Sequence, residues 1–172
     1  EIDYVVQGEG ERTFQELVDA IAGGRSAVGI AGVWTRSEGK AVGGPRRPFV
    51  DLDAEPPLEY DLVDVSKYAR TVFGMKRLAF STSRGCSFPC AFCYSTIVHK
   101  RHFRALSPGV AVARMKDFTT RYGVKGLFPT DANFFLDLGR ARAILEGVVR
   151  EKLDVAFTRL HVSSDGGAGN GA

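Results

Sequence analysis

The 172-residue sequence predicts an α/β fold organised around a parallel sheet. From Met75 onward, short apolar runs alternate with stretches of helical periodicity in the order strand, helix, strand, helix, strand. That order implies parallel strands joined by right-handed crossovers. Near the other end, an apolar run at residues 2–6 leads through glycines into one amphipathic helix pattern, a further unit of an open α/β sheet. All three cysteines, Cys86, Cys90 and Cys93, fall in the loop directly after the first strand of the later series.

Taken in order, residues 2–6 form the first strand, and Gly8-Glu9-Gly10-Glu11 follows as a tight turn. This is not the dinucleotide-binding glycine pattern, so a nicotinamide or flavin site is not indicated. Phe14, Leu17, Val18 and Ile21 recur at helical spacing, Thr13 and Glu16 have the form of a capping box, and Gly23-Gly24 ends the helix. Residues 28–34 and 40–42 flank Ser37-Glu38-Gly39 as a hairpin, after which Pro45, Pro48, Pro56 and Pro57 break regular structure. Residues 51–62 read as an extended connector, and residues 75–81 as the first strand of the later series.

Ser107-Pro108 supplies an N-cap and a first-turn proline. The helix they open carries a core-packing stripe of Ala111, Met115, Phe118 and Tyr122 and stops at Gly123. Residues 125–128 give a second strand, followed by a turn that carries Asp131 and Asn133. Ala141, Ile144, Leu145, Val148 and Val149 then keep helical spacing, and residues 153–158 give a third strand. The expected organisation is an α/β unit over 1–26, a hairpin and linker over 27–74, the first two to three βα units of a barrel over 75–160, and a flexible tail over 161–172. A closed barrel of this kind needs roughly 200 residues or more, so the units present go less than halfway round.

The cysteines are spaced Cys-x-x-x-Cys-x-x-Cys, and no pairing scheme uses three of them up. Three thiolates leave one iron of a four-iron cluster without a protein ligand, and an open position is what catalytic metal sites keep. Other readings of these residues stay open. Zinc would recruit His99 or His102 as a fourth ligand, although zinc ligands usually come as two separated pairs. A redox pair at Cys90 and Cys93 leaves Cys86 without a role. Three buried structural cysteines sit poorly in a loop so rich in Gly, Ser and Pro.

With Ser83-Arg84-Gly85 leading in and the aromatic Phe92 just before the last cysteine, the loop resembles that of the radical S-adenosylmethionine (SAM) enzymes. The segment Tyr-Val-Val-Gln-Gly-Glu-Gly-Glu-Arg-Thr-Phe resembles the end of the cobalamin-binding domain that precedes the barrel in one large class of them. The order of hairpin, Arg-Pro-Phe-Val-Asp-Leu-Asp, prolines and Tyr-Asp-Leu resembles that class's linker. The resemblance runs to about Arg159. The class's cobalt-contacting Asp-x-His-x-x-Gly segment would lie upstream of Glu1, so cobalamin is expected from neighbouring sequence and in the full-length protein.

What the resemblance implies is specific. Cys86, Cys90 and Cys93 would ligate three irons of a [4Fe-4S] cluster, and SAM would chelate the fourth through its amino and carboxylate groups. Reductive cleavage of SAM would give methionine and a 5′-deoxyadenosyl radical. Phe92 matches the position near the adenine, Asp131 that of an acid receiving the SAM amino group, with Asn133 a polar substitute beside Ala132. Arg104, in a basic run with Lys100, Arg101 and His102, would meet the SAM carboxylate or an anionic substrate. No catalytic side chain is singled out. The expected activity is cobalamin-dependent methyl transfer or a related radical rearrangement on a small molecule, fed by a flavodoxin- or ferredoxin-like reductant. The fragment alone is expected to be inactive. The alternatives are a methylthiotransferase of tRNA or protein, which would carry a further cysteine-bearing domain upstream, and a non-enzymatic metal-binding module.

Composition narrows the partners. A net charge of +3 is too small to argue for nucleic acid. No apolar run approaches the ~18 residues of a membrane span, and the chain does not open as a secretory signal does. Cysteines reserved for a cluster point to the cytoplasm, where thiols stay reduced.

Overall fold

The computed structural model describes residues 2–162. The tail expected over 161–172 lies, from residue 163 on, outside the described residues. The chain divides into two compact units, Glu1–Asp51 and Leu52–Ala172, each with its own sheet.

In the first unit, β1 (Tyr4–Val6) is followed by α1 (Glu11–Ala22) and then by the hairpin β2 (Val33–Ser37) and β3 (Lys40–Gly43). The sheet order is β1-β2-β3, and both pairings are antiparallel. The hairpin assigned by sequence to the linker is therefore part of this unit's sheet, and it carries the unit's boundary from residue 26 to residue 51. Leu17, Ala27 and Val33 form the core, with Val6 and Ile30 packed against them. Of the apolar stripe on α1 only Leu17 is buried; Phe14, Val18 and Ile21 are exposed among the described residues.

The expected capping box does not form. The N-cap of α1 is Gly10, and Thr13 lies inside the helix, fully buried. Its hydroxyl donates to the Ala31 carbonyl (3.2 Å) and accepts from Arg47 Nε (2.9 Å), while Glu16 pairs with the same guanidinium. A local signature lost to a tertiary partner: Arg47 takes both residues for the packing of the 31–47 segment on the helix.

The second unit holds β4 (Arg70–Val72), β5 (Met75–Phe80), the two-residue β6 (Ser83–Arg84), the short α2 (Ser95–Val98), β7 (Arg104–Ala105), α3 (Pro108–Tyr122), β8 (Gly126–Pro129), α4 (Leu138–Arg150) and β9 (Ala156–Phe157). The main sheet runs β4-β5-β8-β9. β5, β8 and β9 are parallel, as the alternation of strand and helix predicted; β4, which the sequence did not announce, pairs antiparallel to β5.

Alternation in β5 explains the layering. Leu78 and Phe80 are buried, and Phe80 meets Phe118 of α3 at 5.6 Å between ring centroids. Tyr60, on a 3-10 turn of the connector, packs edge-on against Phe118 at 5.1 Å, and burial raises its hydroxyl's pKa. α3 presents Ala111, Val112, Met115 and Phe118 to the core, and α4 presents Ala141, Ile144 and Val148. The two helices approach at Gly147, where an added Cβ would come within 2.7 Å of Val112 Cγ2. Val149, counted by spacing into the same stripe, points outward and is 76% exposed. Pro108 opens α3 as expected, but the Ser107 side chain makes no cap bond; its amide instead donates to Asp53 Oδ1 at 2.8 Å.

Candidate functional site

The site is built on the carboxyl ends of β5 and β8, where parallel α/β sheets place their ligand-binding loops. β5 ends at Phe80, and the chain turns through Ser81 and Thr82 into β6. β6 pairs antiparallel with β7, Ser83 opposite Ala105 and Arg84 opposite Arg104. This two-residue ribbon closes the cysteine loop at its base. Leu106 N donates to the Thr82 carbonyl (2.9 Å), adding a further tie below the ribbon.

Gly85 makes the tie possible. Its φ is +82°, in the left-handed region, and a Cβ there would stand 2.0 Å from the His102 carbonyl oxygen. Only a residue without a side chain lets the two arms of the loop come this close. Beyond Gly85, Cys93 N donates to the Cys90 carbonyl (3.1 Å), and Thr96 donates from its amide to the Cys93 carbonyl and from its hydroxyl to the Cys90 carbonyl. Arg101 Nε reaches back to the Ser87 carbonyl at 3.1 Å. The cysteines thus hang on a loop whose backbone is held from within.

Cys86, Cys90 and Cys93 are free thiols, Cys90 exposed and the other two half-buried. Among the described residues no three His, Cys, Asp or Glu side chains gather around a single-ion site, so His99 and His102 do not join the cysteines in one. A four-iron cluster makes a different demand, since each thiolate takes its own iron. Three accessible thiols on one tied loop, with no disulfide among them, fit that donor set. Phe92 is 94% exposed, and Tyr94 and Ile97, which follow it closely in sequence, are exposed as well, an apolar rim next to Cys93 along the chain. Arg104 lies in β7 at the loop's base, half-buried.

Below the loop sits a buried polar cluster. Asp131, on the turn after β8, is 1% exposed. Its Oδ1 accepts from the backbone amides of Thr82 and Ser83, each at 2.7 Å, and its Oδ2 accepts from the Thr82 hydroxyl. The Ser81 hydroxyl approaches Oδ1 at 3.3 Å. Asp131 stands on the expected turn, and its oxygens face inward, accepting from the strand-to-loop backbone and the Thr82 hydroxyl. Asn133 is also buried. Its Oδ1 accepts from Phe135 N (3.1 Å), and its Nδ2 has no partner among the described residues.

Arg140, in the first turn of α4, completes the cluster. It is 8% exposed; Nη2 donates to the Thr82 carbonyl (2.7 Å) and Nε to the Leu106 carbonyl (2.8 Å). Burial pushes the guanidinium's pKa below its ordinary value, while Asp131, Asp137 and Asp53 pull it back. Neither Thr82 nor Arg140 was singled out from sequence. Arg140 did carry a signal, since it precedes Ala141 and lies one turn before Ile144, on the face of the helix that spacing assigns to the core. A cavity of about 550 Å³ lies between the connector and α3, bounded by Pro56, Leu58, Tyr60, Val110 and Arg114; no cysteine lines it.

Comparison with known proteins sets this geometry in a family. No protein-family model matches the chain. An uncharacterized methyltransferase of Pyrococcus horikoshii is 37% identical over 158 residues, 91% of this chain and 34% of that protein. The cobalamin-dependent radical SAM methyltransferase TokK of Streptomyces tokunonensis is 28% identical over 158 residues, 84% of this chain and 22% of that one. Among solved structures, the radical SAM methyltransferase TsrM of Kitasatospora setae, with cobalamin and a [4Fe-4S] cluster bound, superposes with a TM-score of 0.66 at 23% identity, over 88% of this chain and 30% of that one. The chain therefore spans about a third or less of the length of these relatives. Over that span its homologues are methyltransferases, a cobalamin-dependent radical SAM one among them, and it shares the fold of TsrM.

Proposed function

We propose that this chain is the cluster-bearing part of a cobalamin-dependent radical SAM enzyme that methylates, or rearranges by a related radical step, a small-molecule substrate. The observation that carries the reading is the placement of three free thiols on one backbone-tied loop at the carboxyl end of a parallel strand. Residues 75–160 are read as the first units of the radical SAM barrel, and the first unit as the closing part of a cobalamin-binding domain. No helix among the described residues is long and apolar enough to cross a membrane.

Cys86, Cys90 and Cys93 are the residues that would hold the [4Fe-4S] cluster. When bound, such a cluster supplies an open iron for the amino and carboxylate groups of SAM and the electron that splits its sulfonium into methionine and a 5′-deoxyadenosyl radical. The chain's own part is to bind and orient. The ribbon of β6 and β7 fixes where the thiols emerge. Phe92, with Tyr94 and Ile97 on the apolar rim, would pack against a bound adenosyl group and keep water from it. Asn133 keeps a buried donor, Nδ2, unused at the mouth of β8, available to a ligand oxygen. Arg104 gives the loop's base a positive charge toward a carboxylate. A flavodoxin- or ferredoxin-type reductant would supply the electron, and cobalamin would carry the methyl group in the full-length protein.

Anaerobic reconstitution with iron and sulfide tests the reading. The expected product carries one four-iron cluster per chain, absorbs broadly in the visible blue, and changes its reduced paramagnetic spectrum when SAM is added. Replacing any one of Cys86, Cys90 and Cys93 by Ala is expected to prevent stable assembly, because each thiolate is a primary ligand. Uptake of zinc in preference to iron, or a reduced cluster indifferent to SAM, would sink the proposal.

A further inference from the structure

The carboxylate below the cysteine loop is more than turn packing. A buried charge is costly unless it is paired and hydrogen-bonded, and Asp131 meets that condition only by joining separate parts of the chain. Through Thr82 and Ser83 it holds the strand-to-loop junction of β5, while it stands itself at the end of β8. Arg140 binds the other side of the same junction, the Thr82 carbonyl, from the first turn of α4, and reaches the Leu106 carbonyl where the loop returns. Thr82 is thus held through its amide, hydroxyl and carbonyl at once, and it is fully buried.

We propose that Asp131, Thr82 and Arg140 are positioning residues for the cluster site: together they lock the base of the cysteine loop to the ends of β5 and β8 and so fix the pose in which the loop receives SAM. This rests on the proposed cluster reading. It assigns Asp131 to the loop backbone rather than to the SAM amino group. Because the cysteines themselves are untouched, loss of the lock leaves thiolates able to bind iron but holds them less uniformly. The SAM-binding geometry, which requires the open iron and the rim residues in register, suffers first.

The test uses the reconstituted full chain and its Thr82→Val, Thr82→Ser, Asp131→Asn and Arg140→Met variants. Iron per chain and the SAM concentration giving half of the paramagnetic change are both measured. Thr82→Val, Asp131→Asn and Arg140→Met are expected to keep the wild-type iron content and to raise that SAM concentration about tenfold, the scale of losing one or two charge-assisted hydrogen bonds. Thr82→Ser, which keeps the hydroxyl, is expected to behave as wild type. A large effect of Asp131→Asn with none from Thr82→Val or Arg140→Met would mean direct contact between Asp131 and SAM, and would overturn the lock. If the wild-type protein takes up no cluster, or its cluster ignores SAM, the enzyme reading fails on its own account. Amide exchange in the metal-free protein then decides the lock: Thr82 and Ser83 are expected to exchange at least about tenfold faster in Asp131→Ala, and unchanged exchange would overturn it.

Discussion

At residue scale, the site depends on positions whose side chains are small or turned away from solvent. Gly85 has no side chain, and the His102 carbonyl occupies the space where one would be. Gly85→Ala therefore faces both a left-handed φ of +82° and a backbone clash that no rotamer relieves. The expected cost is about 2–3 kcal/mol, concentrated at the loop base. It should appear as lost protection of the Leu106 amide and reduced iron uptake, with the β5–β8 ladder intact by hydrogen exchange. The cysteine cluster was legible because its signal is local: three thiols within eight residues need no tertiary information. Asp131 was visible as a position but not as a role, since its partners lie some fifty residues upstream. Arg140 was hidden because long cations are normally read as solvated, and its acceptors are backbone carbonyls, which the sequence does not display.

At the scale of elements, α4 illustrates how a helix start serves a site. Asp137 caps it, its carboxylate accepting from Arg140 N at 2.8 Å, and so sets the rotation at which Arg140 points inward. Asp137→Ala is expected to cost about 1 kcal/mol, the ordinary value of an N-cap. Thermal unfolding with and without the substitution measures it, and a change under a few tenths would show that the buried guanidinium alone fixes the helix start. The long periodic elements, α3 and α4, were read from the sequence within a few residues. Several of the short ones were not. β4, β6 and β7 have two or three residues each, too few for an alternating pattern, and exist because a neighbouring strand or arm supplies the other half of their hydrogen bonds.

For the molecule as a whole, the two compact units have separate cores, one around Leu17 and Val33, the other around Phe118, Leu127 and Ile144. Leu17→Ala and Ile144→Ala each remove a buried aliphatic side chain and are each expected to cost about 2–5 kcal/mol. Calorimetry should show them lowering different transitions. A single transition lowered equally by both would mean that the units unfold as one. The strand-helix alternation gave the second unit's parallel core away, while the first unit's antiparallel pairing of β1 with β2 was invisible because it joins segments separated by an entire helix.

The β6–β7 ribbon also governs how this protein can change. A closed loop pays for its ends being together only logarithmically in its length, so doubling it adds only about 0.6 kcal/mol. Its closing pairs allow no such latitude, because a slip of one residue would turn Ser83 and Arg84 to opposite sides. Sequence drift is therefore expensive at the ribbon and also at Lys100 and Arg101, whose positive φ and, for Arg101, bond to the Ser87 carbonyl hold the returning arm, and cheaper between these ties. Extra residues between the ties would lengthen the loop without moving its point of attachment, so the reach of the loop can vary while its base stays where it is.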